Sequence, residues 1–409
     1  CYRGKATPRY IVTGRRGTEF IDIASEENLR HHWVRGTCRY GVLPSNGLLY
    51  APPHPCICYI TAKLNGFWAL APGRETERER RETEISPSLL RGPAYESGTS
   101  LVSTGPSPAA GDWPTYRHDA ARSGCAGTEV PRELKIAWKT PVGGRASSPV
   151  VAGGSVFVAS TDTHTVWALD AADGRPVWTY TAGARIDTPP TVYGGLALFG
   201  SADGWVYCLR AADGELVWRR RAAPYDSRIA SHGQLESPWP VHGNVLVQDG
   251  VAYVAAGRSS FLDGGIHVHA VELATGKLLR KTRINSLDPK TGDMVECRLP
   301  YDMPPEALGA LPDVLVGDGT SLYMRHLEFD PISLDYRSAA ATLPPQKKRG
   351  MYPYLGGHVM SVAGMLDDSW FNQTYWTVDG RSQCKLLVFN DKTAYGVKPF
   401  AGSARHSRT

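Results

Sequence analysis

Short stretches of the chain alternate apolar and polar positions with a period of two. Ser155-Val156-Phe157-Val158-Ala159-Ser160 and Leu196-Ala197-Leu198-Phe199 are of this kind, and such alternation predicts strands with one buried face. Asp203-Gly204 turns the chain, Trp205-Val206-Tyr207-Cys208-Leu209 runs back, and Ala211-Ala212-Asp213-Gly214 turns it again. Glycine takes the positive φ of a hairpin bulge, and aspartate bonds its own backbone in such turns. The whole pattern recurs. Ala168 to Trp178 returns as Cys208 to Trp218 after a shift of 40 residues, and Val151-Ala152-Gly153-Gly154 returns as Val192-Tyr193-Gly194-Gly195. A period of about 40 residues with several short strands per unit predicts an all-β fold, a β-propeller of four-stranded blades. A complete ring has seven or eight.

Gly174 and Gly214 mark the second turn of each unit, and Trp178 and Trp218 end its last strand. A tryptophan at a fixed place in every repeat is expected to wedge between blades, because its ring buries a large apolar area. A stacking platform for a ligand is the alternative. The repeat decays outward. Val247-Gln248-Asp249-Gly250 opens another unit, in which Arg280 stands at the tryptophan position, and Val316-Gly317-Asp318-Gly319 opens a further one. Arg9 to Ile23, Leu48 to Leu70 and Lys385 to Asn390 read as less regular blades.

The strand, Asp-Gly turn and Ala-Leu-Asp-Ala-Ala-Asp-Gly-x-x-x-Trp run resemble the repeat of the quinoprotein-like (PQQ repeat) β-propeller superfamily. The match is tight over residues 150–221 and looser over 9–72 and 111–398. Gly233-Gln234-Leu235-Glu236-Ser237, Gly257 to Gly265 and Ala51 to Cys56 resemble uncharacterised bacterial proteins of that superfamily. Its members include pyrroloquinoline quinone (PQQ) dehydrogenases and the non-catalytic outer-membrane assembly lipoprotein. The resemblance implies a periplasmic or otherwise extracytoplasmic location and leaves the reaction open. PQQ dehydrogenases carry adjacent cysteines and a calcium site. Here Ile57 separates Cys56 from Cys58, and no such calcium constellation is identifiable.

The organisation follows from these repeats. Blades occupy 1–72, a charged and Pro/Gly/Ser-rich insert 73–110, the main blades 111–400 and a polar tail 401–409. The insert contains Glu-Thr-Glu-Arg-Glu-Arg-Arg-Glu-Thr-Glu at 75–84, mixed charge without apolar periodicity, and is expected to be solvated. Cys1 fits the acylated first residue of an envelope lipoprotein. Strand-like sequence within about eight residues of it favours a piece of a longer chain. The 409 residues contain 43 Gly and 30 Pro, which suits a turn-rich β protein, and the net charge is only +5. Basic residues are spread over the turns, which argues against nucleic acid as a partner. No apolar run reaches the length of a transmembrane helix.

Three groups carry candidate chemistry. His54, Cys56 and Cys58 alternate so that a strand would place them on one face, three donors for a soft metal. Pro53 and Pro55 disturb such a strand, and a disulfide from Cys38 to Cys56 or Cys58 is the simpler expectation. His267 and His269 also share a strand face. The third group lies in the longest departure from the period, 55 residues from Gly195 to Gly250 against 41 from Gly154 to Gly195. Gln234, Glu236 and Trp239 there, with Arg258, Ser259 and Asp263 on a following loop, are candidates for ligand binding on a propeller face. Arg258 suits a carboxylate or phosphate. Against this, Glu236, Arg258 and Asp263 are expected to pair among themselves to hold a long loop.

The resulting expectation is a non-catalytic propeller that binds or assembles a protein or peptide partner on one face, without a cofactor. The alternative is a PQQ- and calcium-dependent alcohol or sugar dehydrogenase. An intracellular WD40-type scaffold is disfavoured, since Trp178-Thr179 and Trp218-Arg219 stand where Trp-Asp would close such repeats.

Overall fold

A computed structural model describes residues 3–14, 17–31, 34–36, 40–53, 67–72, 87–97, 109, 111–231, 233–288, 290–292, 310–338, 358–361, 376–378 and 384–397. Among these the chain is β throughout, with one 3-10 turn at Pro93–Ser97. His54, Cys56 and Cys58, with Cys38, lie outside the described residues, as does the tail 401–409.

The repeats form four-stranded antiparallel blades in chain order. Val150–Ala152, Ser155–Ser160, Thr165–Asp170 and Pro176–Thr181 make one; Thr191–Tyr193, Leu196–Gly200, Trp205–Arg210 and Leu216–Arg221 make the next. Leu246–Gln248, Val251–Ala256, Ile266–Glu272 and Leu278–Ile284 follow, then Val316–Gly317, Leu322–Met324, Leu327–Phe329 and Tyr336–Ser338. Lys5–Ala6, Tyr10–Thr13, Thr18–Asp22 and Asn28–His31 build another four-stranded sheet, and Leu43–Ser45, Leu48–Ala51 and Trp68–Leu70 a three-stranded one. The first three repeat blades share one irregularity, a register shift after Ala168, Cys208 and Ala270. Ala168 pairs with Trp178, Cys208 with Trp218 and Ala270 with Arg280. Arg280 therefore occupies the tryptophan position that the decaying repeat predicts.

The wedges are latches with two parts. Trp178 packs on Gly214 and donates from Nε1 to the Ala211 carbonyl at 2.9 Å. Trp218 packs on Gly276 and donates to the Leu273 carbonyl at 3.0 Å. A Cβ on Gly214 or Gly276 would come within 2.6 Å of the ring, and both glycines have positive φ. Burying a ring of about 200 Å² at about 25 cal/mol per Å² stabilises by about 5 kcal/mol before side-chain entropy. The rings are buried structural elements and not stacking platforms.

One part of the 73–110 segment departs from the solvated insert expected of it. Leu89–Arg91 adds a fifth strand to the outer edge of Leu216–Arg221, pairing Leu89 with Arg220 and Arg91 with Trp218. Successive strand residues point to opposite faces. Leu89 therefore joins the core around Trp218, and Leu90 the core around Trp178.

Residues 113–124 form a strap across the innermost strands. Trp113 exchanges backbone hydrogen bonds with Val151, the Pro114 carbonyl accepts from Val192, the Ala120 carbonyl from Gly317 and the Ser123 carbonyl from Phe389. Asn244 Oδ1 accepts from Thr115 and Thr191 at 2.9 Å each, and Arg122 Nη1 donates to Thr115 at 2.8 Å. Arg122 is completely buried, and burial pushes its guanidinium down to about 10.

Candidate functional site

In an antiparallel blade the connection between the second and third strands and the exit to the next blade lie at the same end. Residues 182–190, 222–245 and 257–265 are connections of these two kinds, so the sequence alone directs them to one face. Local geometry closes them down. Glu236 ends a short strand, Gln234–Glu236, paired with Ile229–Ser231, and Ser237 N–H donates to the Ala202 carbonyl at 2.7 Å. The 257–265 loop is bounded by Gly257 and Gly265, where an added Cβ would meet backbone at 2.9 Å and 2.2 Å. Only glycine fits such approaches.

These connections bring five titratable side chains into one buried network. Arg185 Nε lies 2.7 Å from Asp187 Oδ1, and its Nη1 lies 3.1 Å from Glu236 Oε1. Arg258 Nη2 pairs with Glu236 Oε2 and donates to the Ser237 carbonyl at 3.4 Å. His242 Nδ1 sits 2.5 Å from Asp187 Oδ2. The Glu236 side chain is 0% exposed, and the side chains of the other four expose no more than 3%. Two guanidinium charges against two carboxylate charges leave no net charge, the condition under which such groups tolerate burial.

The six candidate residues thus meet different fates. Glu236 and Arg258 are brought together as a pair. Trp239 is buried, with its Nε1 donating to the Asp263 carbonyl at 2.9 Å and Tyr225 edge-on at 4.7 Å. Ser259 is buried, and its Oγ accepts from Phe261 N–H at 3.1 Å. Gln234 stands apart, accepting from His164 Nε2 at 2.9 Å. Asp263 feels the charge of Arg258 but makes no ion pair with it among the described residues; burial raises its carboxyl to about 6. His269 is buried in its strand and His267 half-buried beside Trp239, and desolvation lowers them to about 3 and about 4.

Arg185, Asp187 and His242 carry no mark in the sequence, because they fall in irregular connections between matched strands. The orientation of His242 by Asp187 is one that general bases use. Among the described residues, however, His242 Nε2 has no hydrogen-bond partner, so no nucleophile is joined to it. A calcium–PQQ centre does not fit these side chains. Asp187 and Glu236 are closed on cationic or imidazole partners, and among the described residues no three His, Cys, Asp or Glu converge on a point.

Residues 122–299 match the family model described as outer membrane protein assembly factor BamB. This part of the chain contains the whole network and the two best repeats. No curated protein matches. Among solved structures, the quinohemoprotein alcohol dehydrogenase from Comamonas testosteroni is 18% identical over 59% of this chain and 44% of its own, at a TM-score of 0.42. The dehydrogenase ADHIIG from Pseudomonas putida HK5 is 15% identical over 61% and 42%, at 0.41. BamB from Moraxella catarrhalis is 13% identical over 82% and 73%, at 0.33. The chain thus spans less than half the length of the dehydrogenases it matches. No functional residue is assigned from these likenesses. Among the described residues no helix is long and apolar enough to cross a membrane.

Proposed function

We propose that the chain is a non-catalytic propeller scaffold of the cell envelope, which binds or assembles a protein or peptide partner on its loop face. One observation carries this reading. The charged groups best placed for chemistry on that face, Asp187, Glu236, Arg185 and Arg258, neutralise one another in the interior. Such a network fixes the connections that shape the face, closes both carboxylates on partners and keeps the His242 imidazole, 1% exposed, in the interior. The match of 122–299 to an assembly-factor model supports the same reading, and with it an extracytoplasmic location.

The competing function is a PQQ-dependent dehydrogenase. A ligand that binds only the native state must raise the melting temperature. Adding PQQ with calcium is expected to give neither a thermal shift nor dye reduction with alcohols or sugars. A clear shift accompanied by turnover would replace the scaffold with the dehydrogenase.

A further inference from the structure

His267 and His269 share one face of the strand Ile266–Glu272, and the register of the sheet sets Arg283 opposite the first and Lys281 opposite the second. Directly opposed residues of an antiparallel pair keep to the same side of the sheet, so the four side chains leave it together. Ala256 and Val254, opposite His267 and His269 on the inner neighbour, pack into the core that holds Trp218. This side therefore faces the 191–221 blade. Arg220 reaches across from that blade, 8% exposed, with its Nε donating to the Gly276 carbonyl at 2.7 Å. Five basic side chains from two blades thus line one seam, Lys281 and Arg283 exposed and Arg220 and His269 buried.

Like charges set opposite one another across strands repel. Desolvation, then Arg283 and Lys281, disfavour the protonated ring of His267; desolvation, then His267, Arg220 and Lys281, disfavour that of His269. Among the described residues, the buried Nδ1 of His269 has no hydrogen-bond partner. A fold that collects three fixed positive charges and two imidazoles in one seam departs from charge pairing, and such departures concentrate where a site is built. An anion would remove the repulsion and give His269 Nδ1 an acceptor. Three fixed charges suit a doubly charged anion better than a lone carboxylate, and guanidinium and ammonium donors hold phosphate oxygens through charge-assisted hydrogen bonds.

We infer that this seam is a binding site for a phosphate-class oxyanion, with Lys281 and Arg283 at its exposed rim and Arg220 and His269 at its buried floor. Two sources carry that chemistry, a free phosphate and a lipid headgroup. The seam lies between two blades, so this site stands or falls independently of the loop face.

Inorganic phosphate, titrated into the full chain at constant ionic strength, is expected to bind saturably by calorimetry. Acetate is expected to bind about ten-fold more weakly or less, since it lacks the second charge. Lys281→Gln with Arg283→Gln is expected to abolish phosphate binding. Without phosphate this variant is expected to melt at the parent's temperature or above it, because it relieves repulsion. Arg280→Gln removes a cation from the opposite face of the same strand, and is expected to leave phosphate binding unchanged. Flotation with phosphatidylcholine vesicles containing phosphatidic acid separates the two sources. Flotation that inorganic phosphate reverses assigns the lipid headgroup, and saturable phosphate binding without flotation assigns the free anion. Absence of saturable phosphate binding, or equal binding of acetate, would overturn the site. Equal loss of binding in Arg280→Gln would also overturn it, by showing an effect of net charge alone. So would a lower melting temperature of the Lys281 and Arg283 double variant without phosphate, by showing that a carboxylate of this chain already neutralises the pair.

Discussion

At the scale of residues, the latch explains why tryptophan and glycine recur together. Trp218 is completely buried, and Trp178 nearly so. Trp218→Ala and Trp178→Ala are each expected to destabilise by about 3–5 kcal/mol in denaturant unfolding. Gly276→Ala attacks the same contact from the other side, since its Cβ would meet the Trp218 ring at 2.6 Å and its φ is +69°. It is expected to be as damaging as a core change, although only a methyl group is added. Parent-like melting of all three would show that the blades do not pack through these rings. The buried histidines set a pH dependence. His269 and His267 are held near 3 and 4, below the 6.5 of an unfolded histidine. Between those values the unfolded chain binds protons that the native chain refuses, so stability is full above about pH 6.5 and falls as the pH drops towards 4. Asp263, raised from 3.8 to about 6, acts in the opposite direction over part of that range. His269→Gln is expected to flatten the decline between pH 6.5 and 4 in melting experiments. An unchanged slope would mean that His269 is charged in the native state.

At the scale of elements, the strand added from Leu89–Arg91 makes the clearest demand. Leu89 packs on the Trp218 core and Leu90 on the Trp178 core. Leu89→Ala is expected to cost no more than about 2 kcal/mol, because the side chain is only partly buried, while Leu89→Ala with Leu90→Ala should exceed either alone. A solvated insert would show no loss. The sequence does not reveal this strand, since three residues within a Ser-, Pro- and Gly-rich stretch give no period to detect. The matched blades are legible because each Asp-Gly turn, bulge and tryptophan repeats a local demand that fixes its own register. The strap 113–124 is not. Its hydrogen bonds reach partners up to about 270 residues away, as from Arg117 to Leu387, and such contacts leave no periodic trace. The site divides in the same way. Glu236 and Arg258 stand out because they interrupt the repeat, whereas Arg185, Asp187 and His242 become meaningful only when the connections converge.

At the scale of the whole molecule, the account rests on the loop face being held together by its own charges. Each partner of a buried pair depends on the other, and removing one commonly costs about 3–5 kcal/mol because the remaining charge stays buried. A double-mutant cycle on Glu236→Gln and Arg258→Met, followed by denaturant unfolding, reads this dependence directly. The network predicts that each single change is strongly destabilising, and that the double change costs less than the sum by about 1–3 kcal/mol. Single variants that unfold like the parent, with Arg258→Met losing only the binding of a partner, would contradict the account and make Arg258 a ligand-binding residue.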